Sequence, residues 1–248
     1  MNKFIIIPLL IFSLFSYAQN VRDTSIFAPI FSVSYAIQLP GGDMKSSFGV
    51  NNNIGISGGI KLASNWSFDL EAAFIFGENV KDTTIIDHLQ NSQGWIINQS
   101  GEENNILIFE RGQTITLNIS KIFDVIGPNP NSGIILKFGL GFMRHKIRIE
   151  NENNLVPQLD QDHLPYYDRL TMGIHLHEFI GYQHMSNNRL TNFYVGFDFY
   201  QGFTQGMRDY QIDLMGPYLN NRLDLLNGVR VGWIIPVFRQ APKEFYID

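Results

Sequence analysis

The sequence predicts an all-β protein: an eight-stranded antiparallel up-and-down transmembrane β-barrel, preceded by a cleaved export signal. Three observations predict it. The only long apolar run lies at the N-terminus. Eight later segments alternate bulky apolar residues with small or polar ones at a period of two, the strand period. The connections between those segments also alternate in length, as they do when one end of a membrane barrel carries short turns and the other long loops.

Composition narrows the classes. Of 248 residues, 17% are charged, below the usual quarter, and 13% are aromatic, too many for a disordered chain. With no cysteine there is no disulfide scaffold, no Cys-ligated zinc and no lipid anchor on an N-terminal Cys. A net charge of −5 offers no general basic surface, so no nucleic-acid partner is expected. Residues 1–19 read as a signal peptide. Asn2-Lys3 gives the positive start, Phe4 to Phe15 the apolar run, and Ser16-Tyr17-Ala18 the small residues before cleavage. The run falls short of the roughly 20 residues a spanning helix needs. The expected organisation is 1–19 signal, 20–238 barrel and 239–248 tail.

Trp66 to Gly77 is the clearest strand. Trp66, Phe68, Leu70, Ala72, Phe74 and Phe76 share one face, while Ser67, Asp69, Glu71, Ala73 and Gly77 share the other, with Ile75 the one large apolar intruder. The same parity recurs in 30–39, 53–63, 106–120, 133–149, 170–184, 191–203 and 222–238. A soluble sandwich would bury the large face and leave a charged outer one. Here the second face is rich in Gly, Ser and Thr, which suits the narrow interior of an eight-stranded barrel.

The long connections are about 40–51, 78–105, 150–169 and 204–220. Short ones fall at Ser64-Asn65 and Asn187-Asn188, with a medium one at 121–132. If both termini are periplasmic, every long connection lies outside. Trp66, Tyr182, Phe193 and Trp233 then mark the periplasmic interface, and Phe76, Phe109 and Phe142 the opposite one, as two aromatic girdles. On this pattern the chain resembles the small outer-membrane β-barrels of the OmpA/OmpX/OmpW type over roughly residues 28–238. Gly228-Val229-Arg230-Val231-Gly232-Trp233 and Phe238 resemble the C-terminal signal of such barrels, although the chain runs ten residues past Phe238. The resemblance implies an outer-membrane location, contact with lipid and lipopolysaccharide, and the barrel-assembly machinery as partner during insertion. It brings no catalytic motif.

Parity places Lys61, Asp69, Glu71, Lys137, His175, His177, Asp198, Asp224 and Arg230 in the lumen, where charges must pair or stay hydrated. A three-residue loop at 63–65 or 64–66 would set Lys61 diagonal to or opposite Asp69. A two-residue type I′ turn at Asn187-Asn188 would set His177 opposite Asp198. Arg230 lies on the strand next to Asp198, so the expectation is a polar plug of paired side chains. His175-x-His177 also has the spacing of a metal pair, but a hydrogen-bonded network is the favoured reading, with no metal and no cofactor. Glu178 falls on the lipid-facing parity. A β-bulge turning it inward ranks first, ahead of a protein partner on that wall or a strand sitting higher.

In loop 78–105, Thr83 to Leu89 could form a short helix. Trp95, Ile96 and Ile97 are unusually apolar for a loop, either as partner or ligand contacts or as a lid on the barrel mouth. Glu150, Glu152, Asp160, Asp162 and Asp168 form an acidic loop, read mainly as solvated and secondarily as a loose cation site. Phe245 and Tyr246 make the tail a docking candidate. The function expected is structural or partner-binding, as an accessory subunit of an outer-membrane assembly or secretion complex. A narrow solute channel is the alternative. A lipid A-modifying enzyme ranks lower, since no Ser is spaced beside His88, His145 or His163, and the chain is expected not to be an enzyme.

Overall fold

The computed structural model describes residues 24–151, 155–187 and 191–237. The chain runs β1 (Ala28–Gly42), β2 (Asn51–Lys61), β3 (Trp66–Gly77), β4 (Ile96–Ile97), β5 (Glu103–Asn104), β6 (Ile106–Phe123), β7 (Gly133–Asn151), β8 (Thr171–Met185), β9 (Asn192–Gly206), β10 (Arg208–Gln211), β11 (Gly216–Tyr218) and β12 (Asn221–Pro236). The eight long strands form one closed antiparallel barrel, each beside its chain neighbour, with β1 sealing against β12. The pairs β4–β5 and β10–β11 are small hairpins within loops. All eight segments expected from parity are barrel strands. The signal, the tail with Phe245 and Tyr246, and Glu152 and Asn188 lie outside the described residues.

Closure fixes the stagger. Registered partners followed once round the barrel lead from Pro29 through Ile60, Phe68, Ile119, Phe138, Glu178, Phe199 and Asn227 back to Leu39, ten residues along β1. Eight strands with that shear tilt by about 40°. Every long connection leaves the same end of the barrel. The opposite end carries 62–65, 124–132, the β8–β9 connection and the two ends of the described chain.

Side chains sort as the parity requires. Phe31, Ile56, Leu70, Leu117, Leu140, Phe197 and Val229 point outward, each more than half exposed. Ser34, Asn53, Asp69, Thr116, Asn118, His177, Asp198 and Arg230 point inward and are buried. In water this would be an inside-out protein, with apolar surface far beyond what a soluble monomer tolerates. Against acyl chains it is the favourable arrangement. Glycine on the inner face makes room for larger neighbours. A Cβ on Gly232 would stand 2.2 Å from the Tyr194 ring, and one on Gly141 would stand 2.6 Å from the His175 ring.

The inner face is less uniformly polar than the sequence suggests. Ile122, Ile135, Phe179, Tyr194 and Ile234 form an apolar layer toward the short-connection end. They alternate correctly with the outward residues. Their size shows that an eight-stranded lumen can be packed with apolar as well as polar groups.

Two turns decide the lumen register. Lys61 pairs with Ser67, so the β2–β3 loop is 63–65, and Asn65 takes the left-handed conformation (φ 63°) that ends a three-residue hairpin loop. Lys61 is therefore diagonal to Asp69. The β8–β9 connection corrects the sequence reading: Met185 pairs with Asn192, so the loop exceeds two residues, and His177 faces Tyr200 while Phe179 faces Asp198.

Candidate functional site

The centre of the lumen is crossed by one polar and ionic cluster to which all eight barrel strands contribute. Arg230 on β12 donates through Nη1 to Glu71 at 2.9 Å and to Ser34 at 2.8 Å. Through Nη2 it donates to Asp198 at 2.9 Å, to the Tyr200 hydroxyl at 3.0 Å and to Asn53 at 3.3 Å. The planar guanidinium thus bridges β3 and β9 across the barrel, a fork that a point-charged ammonium could not reproduce. Lys137 approaches Asp69 at 3.4 Å and Glu71 at 3.9 Å. Asn118 donates to Asp69 at 2.9 Å. His177 reaches Asp198 through Nε2 at 2.8 Å and Asn118 through Nδ1 at 2.9 Å, its ring stacked on Tyr200 at 4.4 Å. His175 Nε2 bonds Thr116 at 2.9 Å. Both nitrogens of His177 are engaged. No group of three metal-ligating side chains occurs among the described residues.

Two residues expected in this cluster lie elsewhere. Lys61, although diagonal to Asp69, turns toward the short-connection end. Its Nζ donates to Asn65, Asn131 and Ser25 at 2.8, 2.9 and 3.0 Å and toward the Ile26 carbonyl at 3.3 Å. Asn131 Oδ1 also accepts from the Ile26 amide at 2.9 Å, so the segment entering β1 and the turn before β7 meet across that mouth. A cavity of about 20 Å³ between this closure and the central cluster has room for about one water. Asp224 sits nearer the opposite end, bonded to His145 Nε2 at 2.9 Å and paired with Arg222 at 3.0 Å. Glu110, which the sequence reading passed over, faces inward there and accepts from Asn51 at 2.9 Å. Its parity with Thr114, Thr116 and Asn118 was a sufficient signal.

The long connections form a cap. Met44 and Phe48 from the first loop, Ile85, Ile86 and Ile96 from the second, and Val156, Leu159 and Tyr167 from the third join the lumen residues Ile75, Met143, Tyr200 and Leu226 in one apolar core. The expected helix is present as Thr84–Asp87. Ile96 is 6% exposed, which corrects its reading as a surface contact; its neighbours Trp95 (48%) and Ile97 (44%) are the exposed ones. Arg169 ties the cap together, pairing with Asp82 at 3.2 Å and with Asp213 of the fourth loop. Three acids of this loop have partners. Asp168 pairs with Arg208 at 2.6 Å and Lys146 at 3.2 Å, Glu150 with Arg148 at 2.7 Å, and Asp160 with His163 at 2.6 Å. The hydrogen bond from His163 holds the Asp160 carboxyl below its usual range. Of the other candidate bases, His145 lies edge-on beneath Phe48 and His88 stacks on Tyr167. None of the three is hydrogen-bonded to a serine among the described residues.

The outer wall completes the picture. At the short-connection rim, Trp66, Tyr182, Phe193 and Trp233 sit at strand ends with Lys121 over the Trp66 ring at 5.4 Å. Toward the other rim, Phe142 is registered with Ile115 and Ile174 in the last wholly apolar row on that wall. Phe109 lies higher, on the part of the β6–β7 ribbon that outruns β3 and β8, and Phe76 is registered with Arg111. Between the rims the exposed face is an apolar belt. The chain is an eight-stranded β-barrel with its apolar side chains outward, the arrangement that suits a bilayer. Glu178 interrupts its belt. Register runs unbroken from Gln183 to Thr171 against both neighbours, so there is no bulge, and the carboxylate points outward in the row of Phe138 and Phe199. It shares a wall depression of about 440 Å³ with Gln201 and Asn227, grouped around Phe199.

No family model matches the sequence, and no curated protein matches it. Solved structures similar to this barrel include Ail, the attachment invasion locus protein of Yersinia pestis, in complex with the heparin analogue sucrose octasulfate. Identity is 9%, coverage is 84% of this chain and 98% of that one, and the TM-score is 0.44. The outer-membrane protein OprG from Pseudomonas aeruginosa is 11% identical, with 87% and 99% covered and a TM-score of 0.42. The N-terminal β-barrel domain of Pseudomonas aeruginosa OprF is 11% identical, with 82% and 96% covered and a TM-score of 0.34. Likenesses this loose transfer no residue and no role.

Proposed function

We propose that this barrel is a closed outer-membrane scaffold that acts through its surfaces and passes nothing through its lumen, as a structural or partner-binding component of an envelope assembly or secretion complex. The observation that carries this reading is the Arg230 bridge to Glu71 and Asp198 across the lumen. The mouth closure around Lys61 and the loop cap add a seal at each end. In this reading both termini are periplasmic, the cap faces outward, and the barrel-assembly machinery inserts the chain. Purified barrel in planar bilayers is expected to give no stable unitary conductance. Steady channel openings by the folded wild type would overturn the scaffold reading in favour of a solute channel.

The wall around Glu178 is the surface we assign to a membrane-embedded protein partner. A lipid-facing acid beside two amides is unfavourable against acyl chains and favourable against a segment that offers hydrogen-bond donors. A photo-crosslinker placed at Phe199 in cells is expected to yield a discrete protein adduct that Glu178→Leu abolishes. Adducts with lipid alone would remove the partner from that wall.

A further inference from the structure

We infer that the outward face of β6 and β7, just beyond the apolar belt, binds the phosphate of an outer-leaflet lipid. On β7 the outward residues run Leu136, Phe138, Leu140, Phe142 and then Arg144 and Lys146; on β6 they run Ile119, Leu117, Ile115 and then Gln113 and Arg111. Register places the change at one level: Ile115 faces Phe142, Gln113 faces Arg144, and Arg111 faces Lys146. The chemistry of the wall therefore switches from hydrocarbon to polar within one step on two adjacent strands, with the first cation at that step on β7 and at the next on β6. That is the level where acyl chains end and headgroups begin. The site rests on the orientation proposed for the barrel, with this rim outward.

The cations converge. Arg111, Arg144 and Lys146 line a depression of about 110 Å³ with Phe74, Gly112 and Gln113, and no carboxylate lines it. Arg111 is held in place, its guanidinium 5.0 Å from the Phe109 ring centroid and its Nη1 donating to the Glu110 carbonyl at 2.7 Å. Lys146 shares Asp168 with Arg208, so that carboxylate is already contested. Arg144 is exposed and has no ion pair or hydrogen bond among the described residues. Guanidinium groups suit the paired oxygens of a phosphate. Phe142 and Ile115 lie directly below and would take the acyl chains of the same molecule, whereas a free phosphate would gain only the cations. The pairing of cation and apolar contact selects a phosphorylated lipid over the free anion.

The test is native mass spectrometry of the full barrel in non-ionic detergent with bisphosphorylated lipid A, dephosphorylated lipid A and inorganic phosphate. The wild type is expected to retain bisphosphorylated lipid A. Retention should fall about tenfold for the combined Arg111→Gln, Arg144→Gln and Lys146→Gln variant, and by a similar factor for the dephosphorylated lipid. Lys121→Gln, on the opposite rim, should bind as wild type. The three positions point away from the core, and heat-modifiable gel mobility reports that the variant is folded. A folded triple variant that binds like wild type overturns the site. Inorganic phosphate that displaces the lipid at equal concentration overturns the lipid as its ligand. Since the chain has no cysteine, Gln93→Cys reports orientation separately. Labelling by an impermeant maleimide on intact cells supports the cap facing outward, and absence of labelling contradicts the orientation without touching the binding result.

Discussion

Replacing Arg230 with alanine is expected to lower the unfolding free energy of the barrel by about 3–5 kcal/mol, the cost of stranding buried charge by removing one partner. Arg230 is 1% exposed and is the shared partner of Glu71 and Asp198, which are 1% and 0% exposed. Without the guanidinium, Glu71 keeps Lys137 at 3.9 Å and Asp198 keeps His177, so neither carboxylate is wholly orphaned, but the bridge between them is gone. Arg230→Lys is expected to recover only part of the loss, because one ammonium cannot reach both sides of the lumen in the same fork geometry. Adding Glu71→Gln and Asp198→Asn to Arg230→Met should recover more, since neutral groups carry a smaller desolvation penalty. Urea titration of the refolded protein in lipid vesicles, followed by far-ultraviolet circular dichroism, measures all three. Equal stability of Arg230→Ala and wild type would mean that the cluster contributes little.

Much of the barrel was legible because alternation leaves no freedom once a sheet closes. Trp66 to Gly77 reads on paper as it lies in space, and Glu71, Asp198 and Arg230 reach the lumen by parity alone. What parity cannot supply is the height of one strand against the next, which depends on loops. The β2–β3 hairpin had two consistent loop settings, and only the left-handed Asn65 selects between them. Asn187-Asn188 has the composition of a tight turn, yet the strands part earlier, and His177 moves one pair away from Asp198 while keeping its hydrogen bond diagonally. Lys61 shows a further limit: its long side chain chose three neutral oxygens near the mouth over a diagonal carboxylate. Glu178 was misjudged in the other direction. Its parity points outward, and the bulge that would spare an acid from lipid does not form. The register is intact and the carboxylate faces outward. Of the cap, only a lid from Trp95, Ile96 and Ile97 is among the sequence readings; the rest is not legible, because its core draws two or three residues from each of three loops with no period to reveal them.

In the proposed setting, acyl chains and not water surround the outward residues. Leu117→Arg tests this most directly, with Ile126→Arg as its partner. The two positions are almost equally exposed, at 66% and 64%, but Leu117 lies in the middle of the belt and Ile126 in the connection beyond the rim. If the belt is in hydrocarbon, Leu117→Arg should destabilise the barrel refolded in bilayers by about 2–4 kcal/mol and Ile126→Arg by about 1 kcal/mol or less. If the two substitutions proved equally harmless, the wall would be facing water and the membrane account would be wrong.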